Sequence, residues 1–165
     1  LTYKPVADTD SAPPMPRWVE NTMIRVITSD FLFWSALHVA RGQMIKLVLA
    51  TPPESLPTAS SDERARVNSM LDSILPVSIR ASGLISDTAV GKHLAPAPLE
   101  SIHTPTLVIS ARDDRYGTYA SAKYTASRIP GAKFVGFDKG GHTWVGHDDE
   151  VRVEIVKLLN SRIKP

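Results

Sequence analysis

A chain of 165 residues with 42% apolar and 22% charged side chains has the length and composition of one packed domain, outside the disordered, collagen-like and coiled-coil classes. Its 19 basic and 17 acidic residues leave a formal charge of +2 without any Lys/Arg cluster, so no nucleic-acid partner is expected. The absence of cysteine excludes a disulfide framework, a thiolate zinc site and a cysteine nucleophile, and leaves the compartment open. The longest apolar stretch, Phe31 to Ala40, is too short to cross a bilayer and contains His38; the first residues read as neither signal nor anchor, so no membrane partner is expected.

Thirteen prolines, several of them clustered, mark sharp connections between short elements. After the loop Pro13-Pro14-Met15-Pro16, the spacing of Trp18, Thr22, Met23, Val26 and Ile27 predicts an amphipathic helix over 17–29. Asp30 is expected to cap a second helix, Phe31 to Ala40, and Gln43 to Ala50 forms a third before Thr51-Pro52-Pro53 ends it. Ser60 followed three residues later by Glu63 is a capping-box pattern. It opens a helix with Val67, Met70, Leu71, Ile74 and Leu75 on its buried face, stopped at Pro76. A further helical piece runs through Val90. Residues 1–98 therefore read as helical, with almost no strand signal.

From Leu99 onward the pattern switches to strand, helix, strand, helix, the order of a parallel sheet covered by helices, which assigns an α/β fold. Thr106 to Ser110 is a short apolar run expected to be buried on both faces. Ser121 to Ile129 is the next helix, closed by Pro130-Gly131, and Lys133 to Phe137 the second strand. Asp148 is expected to cap the last helix, with Val151, Ile155, Leu158 and Leu159 facing inward.

In open α/β sheets, catalytic groups sit beyond the carboxyl ends of the strands. Asp114 follows the first strand and His142 the second, with one helix and one strand between them, so a crossover brings both to one edge of the sheet. A carboxylate accepting from Nδ1–H of an imidazole fixes its tautomer and leaves Nε2 to take a proton from a hydroxyl. On spacing alone His142 reads equally well as a loop histidine satisfied by a backbone carbonyl. Asp113 reads as a turn-capping residue.

The segment Pro105 to Asp114, then Ile129-Pro-Gly-Ala-Lys-Phe134, then Gly140-Gly-His142, resembles the end of α/β-hydrolases; the likeness covers residues 100–160. In that family the acid stands three residues after a glycine ending its strand. Ala111 occupies that place here, which points to Asp114 over Asp113 as acid and to His142 as base. The resemblance implies a C-terminal half of the fold: residues 1–98 as a helical cap and 99–165 as the last β-α-β-α of the core. It implies a serine hydrolase, foremost one acting on a carboxylic ester with an apolar portion, without cofactor; the family also contains C–C bond hydrolases, amidases, haloperoxidase-like members and dehalogenases, the last with an aspartate in place of the serine. The family order is nucleophile, acid, histidine, and no Gly-x-Ser-x-Gly elbow occurs; Ser35, Ser82 and Ser110 lack its context. The nucleophile, the oxyanion hole and most of the sheet are expected before residue 1, on a companion chain or segment.

The competing reading is a non-catalytic interaction module that retains acid and histidine without using them and binds a partner through an open sheet edge. His142, His147, Asp148 and Asp149 do not form a recognised metal-ligand pattern. Phe31, Phe33 and Trp34 read as core before pocket lining, and Trp144 either shapes a pocket mouth or anchors its loop on the last helix. His38, His93 and His103 read as surface or structural residues.

Overall fold

The computed structural model describes residues 28–93 and 97–161 and, before them, 16, 18, 22, 24 and 25. The elements are α1 (Asp30–Val39), α2 (Arg41–Val48), α3 (Ser61–Asp72), α4 (Ala81–His93), β1 (Leu107–Ala111), α5 (Tyr119–Arg128), β2 (Lys133–Phe137) and α6 (Asp148–Asn160). Single 3-10 turns lie at Pro53–Ser55, Leu99–Ser101 and Gly141–Thr143. The chain is thus mixed helix and strand with a two-stranded parallel sheet, as an α/β reading requires. In the expected first helix, Trp18, Thr22, Ile24, Arg25 and Thr28 are helical, while Met23, Val26 and Ile27 lie outside the described residues.

The helical layer closes on an apolar core. Phe33 and Leu37 of α1, Met44 and Ile45 of α2, and Val67 and Leu71 of α3 meet there with Ala59 and Val77. The ninth member is Val145, from the loop after His142. Burying that valine ties the histidine loop to the helices by the same hydrophobic term that holds them together.

Caps set the helix boundaries, and two differ from expectation. Ser29, not Asp30, caps α1, its hydroxyl accepting from Leu32 N at 3.4 Å. Asp30, in the first turn, instead accepts from Ser78 N at 2.9 Å and Ser78 Oγ at 2.6 Å, which holds its carboxyl below the usual range. α2 ends at Val48 because Ala50 turns left-handed, φ 46°, ahead of the prolines. α3 begins with the predicted capping box, and Val67 and Leu71 are wholly buried as expected, whereas Met70 is 43% exposed. α3 stops at Asp72, four residues short of Pro76, and α4 runs past Val90 to His93.

β1 and β2 pair in parallel from Leu107↔Lys133 to Ala111↔Phe137, with α5 crossing between them. Only Ser110 and Ala111 of β1 are buried; Leu107, Val108 and Ile109 are half-buried, contrary to a strand covered on both faces. The reason is that β1 has a partner on one edge only among the described residues. The same lack corrects α6: Val151 is buried, but Ile155 and Leu159 are 41% and 56% exposed, with Val153 and Val156 similarly open. His147, not Asp148, is the N-cap of α6.

Candidate active site

The two aspartates after β1 have separate tasks. Asp113 accepts backbone N–H bonds from Gly141 at 2.8 Å and Gly140 at 3.2 Å, bracing the turn that carries the histidine. Asp114 turns inward. Its Oδ1 accepts from Tyr116 N at 2.9 Å, and its Oδ2 lies 2.9 Å from Nδ1 of His142 and accepts from Thr118 Oγ1. With its proton committed to Asp114, the Thr118 hydroxyl accepts from Ser110 Oγ at 3.0 Å, so a relay of three side chains ends on the carboxylate.

The structure therefore brings both predicted residues together. The Asp114 side chain is 2% exposed and that of His142 49%. A carboxylate offers only acceptors, so the 2.9 Å contact places the proton on Nδ1 and leaves Nε2 as the acceptor. No described residue hydrogen-bonds to Nε2: Ser35 Oγ donates to Phe31 O, Ser110 Oγ faces Thr118, and Ser82 is exposed on α4.

The helical layer holds this pair at three points. The carbonyl of Ala50 accepts from Arg115 N at 3.1 Å and His142 N at 3.4 Å, one oxygen serving both loops. Beside it Thr51, fully buried, donates to Leu49 O and accepts from Thr143 N at 3.2 Å and Thr143 Oγ1 at 2.9 Å. The histidine loop approaches so closely that a Cβ on Gly141, φ 61°, would stand 2.6 Å from Thr51 Cα.

Glu63 makes the third attachment. Its Oε2 completes the capping box at Ser60, and its Oε1 accepts from Gly146 N at 2.7 Å and Asp148 N at 3.3 Å. One carboxylate thus caps α3 and α6 together. Burial pushes its pKa up, but the N–H bonds from Ser60, Asp148 and Gly146 and the Ser60 hydroxyl outweigh it and hold the group below the ordinary 4.5. Next to it Arg66 donates to Thr143 O at 2.9 Å and pairs with Asp148 at 3.2 Å.

Tyr116 stands edge-on to the His142 ring, centroids 4.9 Å apart, and donates its hydroxyl to Val48 O at 2.8 Å. Burial, then the charge of Asp114, raises its pKa above 10.0. Tyr116, Thr118, Ala50, Thr51 and the second role of Glu63 were not found by sequence reasoning. Thr118, four residues past the acid, is the one that local turn chemistry signals.

The remaining candidates separate clearly. Of the three aromatics assigned to the core only Phe33 is there; Phe31 is 73% exposed and Trp34 about half, the two rings stacked on each other beside Leu75 and Pro76. Trp144 packs with Ala111, Phe137 and Val151, anchoring its loop on α6. His38 bonds Trp34 O at 2.8 Å, and His103 is exposed in a loop. The His93 side chain lies outside the described residues. His147 stacks on Phe137 at 3.9 Å. Among the described residues no three His, Cys, Asp or Glu stand so that they could hold a metal ion, and no helix is long and apolar enough to cross a membrane. Comparison with protein-family models, curated proteins and solved structures returned no match.

Proposed function

We propose that the chain supplies the acid and the base of a serine hydrolase that acts through an acyl intermediate on a carboxylic ester with an apolar portion. The observation that carries the reading is the 2.9 Å contact between a buried Asp114 and a half-exposed His142 whose Nε2 is open. In this reading residues 1–98 are a helical cap, residues 99–165 are the C-terminal part of an α/β-hydrolase core, and the serine belongs to a segment or companion chain beyond these residues. His142 Nε2 takes the serine proton as the oxygen attacks the ester carbonyl, and Asp114 stabilises the imidazolium. The same proton passes to the departing alcohol. Water then repeats the sequence on the acyl-serine, releasing acid and restoring the serine.

The companion would pair along the free edge of β1 and cover the exposed valines, isoleucine and leucine of α6. That edge equally favours a second reading, an interaction module without catalysis. Intact-mass analysis of the native preparation, followed by fluorophosphonate labelling, separates the two. The enzyme reading expects a labelled serine on additional polypeptide and no label in His142→Ala. A folded preparation in which no serine labels sinks it and leaves the module.

A further inference from the structure

The helical layer contains a cavity of about 500 Å³, within the roughly 300–1,000 Å³ typical of small-molecule pockets. Phe33, Met44, Val48, Val77 and Leu84 line it, and Tyr116 closes the side toward the candidate site. The Tyr116 ring has the cavity on one side and the His142 ring on another, 4.9 Å between ring centres. One aromatic side chain is therefore the partition between an apolar space and the imidazole.

The polar side chains on the wall are engaged. Thr22 Oγ1 donates to Trp18 O at 2.8 Å, and the Tyr116 hydroxyl donates to Val48 O at 2.8 Å. Arg80, the only charged group among the described lining residues, turns to the carbonyls of Ile74 and Pro76 and is exposed to water. A charged or strongly polar ligand would give up its hydration and meet no inward-facing partner among the described residues, at a cost an apolar ligand does not bear. Leu47 lines the cavity while 61% exposed, so the wall opens to solvent there.

We propose that this cavity binds an uncharged apolar group, and that Tyr116 sets how much of it reaches His142. The second clause rests on the hydrolase reading, the apolar group then being the acyl or alkoxy part of the ester; the first does not.

The test uses the full chain and the neutral dye N-phenyl-1-naphthylamine, whose fluorescence rises in apolar surroundings. Saturable binding is expected at one site, with affinity lowered at least tenfold by Leu47→Trp, which adds bulk at the exposed wall without opening the core. A straight-chain methyl ester should displace the dye, and the corresponding free carboxylate should do so far less well. No saturable binding, equal binding to Leu47→Trp, or stronger displacement by the carboxylate would overturn the assignment. Tyr116→Ala joins cavity and site, so dye binding should persist while the preferred ester chain in turnover lengthens by several carbons. An unchanged chain preference refutes the role of Tyr116. Dye binding lost in Leu47→Trp, in a preparation where no serine labels, would uphold the cavity and remove the hydrolase reading alone.

Discussion

Glu63→Ala removes one carboxylate that completes two caps, and its cost can be apportioned. The local part is the capping box at Ser60, for which Ser60→Ala is the control, at about 1 kcal/mol. The distant part is the pair of N–H bonds from Gly146 and Asp148, at 2.7 and 3.3 Å. Bonds to a charged acceptor contribute about 1.5–3 kcal/mol each when the donor is left unmet. Gly146 is exposed and recovers water, so the lower end applies and Glu63→Ala should cost about 2–4 kcal/mol in all. A domain holds only about 5–15 kcal/mol, so urea unfolding resolves the difference easily. Hydrogen exchange should quicken at Gly146 and Asp148 in Glu63→Ala but not in Ser60→Ala. Equal losses in the two variants would refute the second cap. The pH dependence has a definite sign: with its pKa below 4.5 in the folded chain, Glu63 stabilises fully above that value, and the contribution fades as pH falls through the folded pKa. The gap between the wild type and Glu63→Gln should therefore be widest at neutral pH and narrow in acid.

Gly141→Ala forces a Cβ to within 2.6 Å of Thr51 Cα and 2.7 Å of Pro52 Cδ at a left-handed φ; a loss of about 2–4 kcal/mol in thermal unfolding is expected, and a loss under about 0.5 kcal/mol would contradict the close approach. Tyr116 should ionise above the ordinary tyrosine range on ultraviolet titration toward high pH. Asp114→Asn should lower its midpoint only partly, because burial is the larger cause and the carboxylate charge the smaller; complete reversion would invert that order.

Much of the frame was legible because it is local. The capping box at Ser60 and Glu63, the strand Lys133–Phe137, and the acid and histidine just past two apolar runs all declare themselves within a few residues. The likeness to α/β-hydrolases pointed to Asp114 over Asp113, and the structure gives the two aspartates different partners. What escaped depends on residues far apart in sequence. A capping glutamate reads as fully used by its own helix, so its other oxygen, spent on Gly146 and Asp148, leaves no trace in the pattern. Ala50 adopts a left-handed turn that favours glycine or asparagine. Helical periodicity marked Ile155 and Leu159 as inward because it registers a stripe, not what stands opposite it.

The shared carbonyl of Ala50 bears on how such a chain can be recombined. Because Arg115 and His142 hang from the same oxygen, a rigid displacement of the helices carries the Asp114 loop and the His142 loop along one vector. The spacing between carboxylate and imidazole is preserved while the direction in which Nε2 points shifts. A foreign helical segment grafted before residue 99 would thus have to present that carbonyl in the same orientation, together with the Thr51 hydroxyl and the Glu63 carboxylate that hold the rest of the histidine loop.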